Sequence, residues 1–196
     1  TTVVAPMGYG KTTAVEWYLA ERAGAEAPYI VRISVYSGNL AIFWKSVQDA
    51  FARAGFAFLR EYDCPTDGAS GGLLIDDLCH ALTGEKSCYI FIDDFHLLTD
   101  KRAPGFLCAL AGRLPPNVHL ILVSRDLFLP AAELVRLGGK VYQIGTAQLR
   151  LNHTELAVYT KRCGTALSDE QIDTLLYYSE GWFSAVYLNL RMFSEH

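Results

Sequence analysis

The residues best suited to chemistry stand near the start of the chain, in APMGYGKTT at positions 5–13. Gly8 and Gly10 let the backbone turn sharply and approach an anion with no Cβ in the way. Lys11 is long enough to reach the β- and γ-phosphates of a nucleotide, and the Thr12 hydroxyl suits a ligand of Mg²⁺. Thr13 can donate one further hydrogen bond to phosphate. With Pro6, Met7 and Tyr9 these residues form a loop that opens a helix, where unpaired N–H groups and the helix dipole favour an anion. The dipole contributes only about 0.3–1 kcal/mol, so several N–H bonds to charged phosphate must supply most of the affinity. Ala5 stands where the usual pattern has glycine. It closes the preceding strand, a position that needs a small residue more than a flexible one.

Two further stretches carry chemistry. In YIFIDDFH (89–96) an apolar run ends in two acids, at the edge of a sheet where ligands bind in open α/β folds. Asp93 suits Mg²⁺, a hard cation that takes oxygen ligands, and Asp94 suits the base that orients an attacking water. The competing reading is a pair of solvated acids at a strand end, which the glycine loop earlier in the same pattern disfavours. LILVSRD (120–126) presents the Ser124 hydroxyl and the Arg125 guanidinium near that edge. Arg125 either senses the γ-phosphate or forms a salt bridge with Asp93, Asp94 or Asp126. His96 either bonds a group at the sheet edge or is a structural histidine. Trp17, Trp44, Phe43 and Phe51 fall on helix faces and read as core. Trp182 differs, because Gly181 beside it leaves backbone open to a ligand.

The elements that must position these residues alternate. TTVVA reads as a buried strand and 11–23 as a helix, with Val15, Tyr18, Leu19 and Arg22 on one face. A strand follows at 29–35, then a helix over 40–55 that stops at Gly55. Residues 62–72, YDCPTDGASGG, are rich in turn formers and predict a mobile loop. Next come a helix near 73–83, a strand at 88–94, a helix near 104–114, a strand at 118–126, a short helix at 130–138 and a last strand at 140–145. Apolar strands alternating with helices predict a parallel α/β sheet. From about 151 the pattern is helical only, with capping boxes at Asn152/Glu155 and Ser168/Gln171 and a third helix after EGW (180–182). The reading is a sheet domain over 1–148 and a small helical lid over 149–196.

Composition narrows the function. The chain has 196 residues, 51% of them hydrophobic, and a net charge of −4, enough for one core plus an appendage. That charge disfavours a nucleic-acid surface, which needs clustered Lys and Arg. No apolar run approaches the roughly 18 residues that span a bilayer, and the opening TTVVAP reads as a strand rather than a leader. Five cysteines without C-x-x-C spacing fit reduced thiols of a cytoplasmic protein. The five histidines include no pair at helical ligand spacing, so no zinc site is expected.

Taken together, PMGYGKTT, the Asp93-Asp94-x-His96 cluster, LVSR and GWFSAVYL (181–188) resemble the signal-transduction ATPases with numerous domains. Within that class they are similar to the ATPase module of MalT-like, LuxR-type transcriptional regulators. VYQIGTAQLRLNHTE looks like the family's crossing from sheet to lid. The resemblance covers nearly the whole chain. It implies a P-loop NTPase core of the AAA-like type, a five-stranded parallel sheet in the order 5-1-4-3-2. It implies ATP or ADP with Mg²⁺ as cofactors, and Gly181 and Trp182 as lid residues that approach the nucleotide. Met7 and Phe183 replace residues that are usually small. The segment that helps to hold adenine and the parts that meet inducer and DNA are expected to lie outside this sequence.

The implied function is a regulatory switch. Slow ATP hydrolysis, with Lys11, Asp94 and Arg125 as catalytic residues, would move a bacterial transcription regulator between an ADP-bound resting state and an ATP-bound active one. The full-length protein would self-associate in an ATP-dependent way, with no membrane partner. The alternative is a metabolic P-loop kinase for a small acceptor, which normally carries several lid arginines; 151–196 holds only Lys161, Arg162 and Arg191. A scaffold that binds no nucleotide fits poorly with intact Lys11, Thr12 and Asp93.

Overall fold

A computed structural model describes residues 1–194 of the chain. Five strands, β1 (Thr2–Val4), β2 (Tyr29–Ser34), β3 (Cys88–Asp93), β4 (Val118–Ser124) and β5 (Gln143–Ile144), form one parallel sheet in the order β2-β3-β4-β1-β5. This is the expected order read from the other edge. Helices α1 (Lys11–Glu26), α2 (Leu40–Arg53), α3 (Gly68–Leu82), α4 (Arg102–Arg113) and α5 (Ala131–Leu137) fill the connections, and the short α6 (Thr146–Leu149) leads out of the sheet.

Because side chains alternate across a strand, each strand feeds two cores. Ile90, Ile92, Leu120 and Leu122 face α2, α3 and α4, whereas Tyr89, Phe91, Ile121 and Val123 face Val15 and Leu19 of α1. Burial on both faces is what makes β3 and β4 read as continuous apolar runs. Trp17, expected in the core, is 62% exposed. The buried stripe of α1 is Val15 and Leu19, and two residues along a helix turn a side chain to another face. Phe51 is buried as expected, with Phe43 and Trp44 packed against its core.

The stretch predicted as a loop over 62–72 is helical from Gly68. Asp67 caps α3, its carboxylate accepting the N–H groups of Ala69 and Ser70 at 3.0 and 2.8 Å. The three glycines lower intrinsic helix propensity by about 1 kcal/mol each relative to alanine, which is why the sequence reads as loop. Tertiary packing overrides that preference. Gly71 is buried, and a Cβ there would lie 3.4 Å from the Phe106 ring, so the small residue lets α3 and α4 approach closely. The last strand is shorter than expected, because 138–140 form a 3-10 turn.

Beyond the sheet, α7 (His153–Arg162), α8 (Asp169–Ser179) and α9 (Phe183–Ser194) pack around Leu156, Ile172, Leu175, Val186 and Leu190. Both expected capping boxes are formed. Asn152 and Glu155 exchange backbone-to-side-chain bonds at 2.9 and 3.0 Å, and Ser168 and Gln171 at 2.9 and 3.3 Å.

Candidate nucleotide site

The glycine loop joins the end of β1 to the first turn of α1. Ala5 is buried at the strand end, which accounts for a small residue there. Gly8 and Gly10 lie at φ 85° and 71°, the left-handed region where a Cβ is strained. Gly10 caps α1 with no side-chain bond, so the free N–H groups of the first turn face the loop. Pro6 and Met7 are exposed, as are Thr12 and Thr13 at the start of the helix. Lys11 is buried, and its Nζ donates to the Pro6 carbonyl at 2.8 Å.

The acidic strand meets this loop directly. The Thr12 hydroxyl donates to Asp93 Oδ1 at 3.2 Å, and the same oxygen accepts the Asp94 N–H at 2.8 Å. Residues 81 positions apart are thus brought into contact by adjacent helix and strand ends. Burial raises the Asp93 carboxyl above its ordinary value, opposed by the bonds from Thr12 and the Asp94 N–H. Burial also lowers the Lys11 ammonium, helped by the neighbouring charge of Arg125 and opposed by Asp94 and Asp93. Lys11, Asp93, Asp94 and Arg125 therefore share one electrostatic environment.

Asp94 heads a 3-10 turn at φ 54°, a conformation that aspartate and asparagine tolerate better than most side chains. Its side chain is 47% exposed, and His96 Nδ1 lies 3.9 Å from it. His96 is partly buried with both ring nitrogens shielded from solvent, and neither nitrogen has a hydrogen-bond partner among the described residues. Of the two readings left open for His96, a bond to a sheet-edge group is not seen among the described residues. Arg125 is exposed and forms no ion pair with Asp93, Asp94 or Asp126 among the described residues. The expectation of a presented Ser124 hydroxyl is corrected. Ser124 is buried, and its Oγ donates to the Asp126 carbonyl at 2.8 Å, because the last residue of β4 still obeys the strand's inward alternation.

The lid reaches the loop through the start of α9. Trp182 Nε1 donates to the Met7 carbonyl at 3.2 Å, and both the N–H and the hydroxyl of Ser184 donate to the Gly8 carbonyl at 3.0 Å. The Tyr9 and Trp182 ring centroids lie 6.4 Å apart, and the Phe183 ring would lie 3.7 Å from a Cβ on Gly10. Gly181 packs instead against the crossing segment, its carbonyl accepting the Leu151 N–H at 3.0 Å. Sequence reasoning noted Phe183 only as a departure in the lid and missed the Ser184 contact; their third and fourth places in GWFSAVYL were the only signal.

The oxygen donors at the edge fit Mg²⁺. Thr12 and Asp93 are hard ligands side by side, and no three of His, Cys, Asp and Glu gather into a metal cage among the described residues. Mg²⁺ is commonly held by one or two protein oxygens plus phosphate and water.

No family model matches the chain. It is 22% identical over 196 residues to the HTH-type transcriptional regulator MalT of Vibrio campbellii, covering 93% of this chain and 20% of that protein. It is 23% identical over 190 residues to MalT of Yersinia pestis, covering 96% and 21%. The chain is similar to the ATPase module of MalT-like regulators. It spans about a fifth of the length of these curated relatives. Among solved structures, Cdc6p from Pyrobaculum aerophilum superposes with a TM-score of 0.51 at 15% identity, over 82% of this chain and 41% of that one. The Aeropyrum pernix Orc1 protein, solved in complex with DNA, gives 0.50 at 15% identity over 84% and 43%. Those likenesses agree with the fold, a five-stranded parallel sheet flanked by helices. No helix among the described residues is long and apolar enough to cross a membrane.

Proposed function

We propose that this chain is the nucleotide-binding module of a signal-transduction ATPase. It switches a bacterial transcription regulator between an ADP-bound resting state and an ATP-bound active state, with slow hydrolysis. The observation that carries this reading is the Thr12–Asp93 contact at 3.2 Å, which closes the acidic strand onto the first turn after the glycine loop. In the proposed arrangement the sheet domain is 1–148 and the lid 149–196. Backbone N–H groups of the loop and Lys11 hold the phosphates, while Thr12 and Asp93 hold Mg²⁺. When bound there, the ion would supply positive charge beside the phosphoryl oxygens.

Asp94 orients the attacking water and accepts its proton, and Arg125 places its fork on the γ-phosphate. ATP and water give ADP and phosphate, and loss of the γ-phosphate releases Arg125. The lid reads that change through its bonds to the Met7 and Gly8 carbonyls. Inducer and DNA are met by other parts of the full-length regulator, which acts in the cytoplasm and self-associates with ATP. The kinase reading gains nothing from the lid, where Arg150 pairs with Glu180 at 3.5 Å and Arg191 lies over the Tyr187 ring.

Arg125 tests switch against housekeeping enzyme. Its charge-assisted bonds exist with ATP and vanish with ADP, and such bonds contribute about 1.5–3 kcal/mol. Arg125→Ala is expected to weaken a non-hydrolysable ATP analogue by roughly 10- to 150-fold and to leave ADP affinity nearly unchanged, both read by titration calorimetry. Equal losses for the two nucleotides would sink the sensor role.

A further inference from the structure

A strongly apolar cavity lies away from the glycine loop. It lies on the opposite face of the sheet from α1, between α2, α3 and α4, with a volume of about 370 Å³. Ile90 and Ile92 of β3 form its floor, Trp44 and Phe51 of α2 one wall, and Leu74 of α3 and Phe106 of α4 the others. An engineered cavity of about 150 Å³ lined by Leu, Ile and Phe stays dry and binds benzene. This one has more than twice that space and the same chemistry. It falls in the roughly 300–1,000 Å³ range of small-molecule sites.

The polar groups at its rim are already matched. Asp67 caps α3. Arg102 forks onto Asp100 at 3.0 and 2.7 Å, and Arg113 Nη1 bonds Asp76 at 2.9 Å. Both cations that line it, Arg102 and Arg113, have their own carboxylates, so nothing there selects an anionic headgroup, and the lining is overwhelmingly apolar, with the Cys64 thiol and the Thr66 hydroxyl among its few polar groups.

We infer that this cavity is a second ligand site, separate from the nucleotide site, for a neutral, apolar small molecule with two or three fused rings or a comparable alkyl group. Its glycines keep the entrance open. A Cβ on Gly72, which lines the cavity, would meet no heavy atom within 4 Å, whereas Gly71 beside it is closed by Phe106. The floor strand β3 ends in Asp93, so an occupant touches the same strand that carries the acidic pair.

The test uses 1-aminoanthracene, a neutral fluorophore whose emission rises in an apolar environment, titrated into the full chain with naphthalene as unlabelled competitor. The expected result is saturable enhancement reversed by naphthalene. Two substitutions plug the cavity from opposite walls. Gly72→Phe adds a ring from α3 where there is room for it, and Ala103→Phe adds one from α4. Each is expected to weaken binding by about tenfold or more while unfolding stays cooperative. Should the first not fold, the second decides. Enhancement that does not saturate, or that survives a folded plug variant unchanged, overturns the proposal.

Discussion

Asp93 is asked to do two things that conflict. Its carboxylate is half-buried against Thr12 and the Asp94 N–H, and burial raises its proton affinity, so the charge a metal needs costs the ligand-free protein stability. A folded-state value raised above 3.8 means that the folded state holds the proton to higher pH than the unfolded chain. The stabilisation is therefore complete below the unfolded value and is lost as pH rises through the raised one. At neutral pH the cost is fully present. Asp93→Asn keeps an oxygen that accepts from Thr12 and removes the charge. It is expected to raise the melting temperature of the nucleotide-free protein and to abolish the Mg²⁺ dependence of nucleotide binding. The neighbouring Asp94→Asn tolerates the same left-handed backbone but cannot take a proton from water. There MgATP binding should persist while hydrolysis falls by roughly 10²-fold or more. Scanning calorimetry and a phosphate-release assay on both variants separate the two roles; swapped outcomes would reverse the assignment.

At the scale of elements, the crossing between sheet and lid hangs on Gly181. Its φ is 72°, and a Cβ there would lie 2.5 Å from the Leu151 carbonyl oxygen and 3.1 Å from the Leu151 nitrogen. Both neighbours are backbone and cannot swing aside. Gly181→Ala is expected to destabilise the chain by about 2–3 kcal/mol, with the loss confined to the lid. Hydrogen exchange should show α7–α9 losing protection while β3 and β4 keep theirs; uniform loss would mean that lid and sheet unfold as one unit. The glycine was legible in GWFSAVYL, but its partner was not, because Leu151 is brought to it only by the fold. The same limit hid the loop partners of Phe183 and Ser184, whose contacts depend on where α9 begins. By contrast, Lys11, Thr12 and Asp93 were legible because turn glycines, a strand end and a pair of acids are local signals with one shared chemical use. The sheet order came from the family resemblance, and the observed pairing agrees with it. The start of α3 was misread for a local reason as well. Three glycines outweighed a good cap until the Phe106 contact was known.

For the whole molecule, the site gathers the ends of several elements of the sheet and the start of the lid's last helix. The glycine loop belongs to β1 and α1, the acids to β3, Arg125 follows β4, and the lid bonds of Trp182 and Ser184 come from the chain's last helix. In the proposed arrangement a ligand seated there would touch every one of these, so its binding free energy should appear as global stability rather than local rigidity. At about 100 times the dissociation constant, MgADP is expected to stabilise the protein by roughly 2.7 kcal/mol, or about 5–11 °C in melting temperature at this length. Lys11→Ala removes the only buried cation side chain of the loop and is expected to abolish the shift. The variant should be only slightly less stable on its own, because the bond lost to the Pro6 carbonyl is offset by removal of an ammonium that burial disfavours. The two expectations together distinguish a ligand site from a structural lysine. A melting temperature that drops markedly in Lys11→Ala without nucleotide, while the MgADP shift persists, would place Lys11 in the scaffold and leave the phosphates to the backbone N–H groups alone.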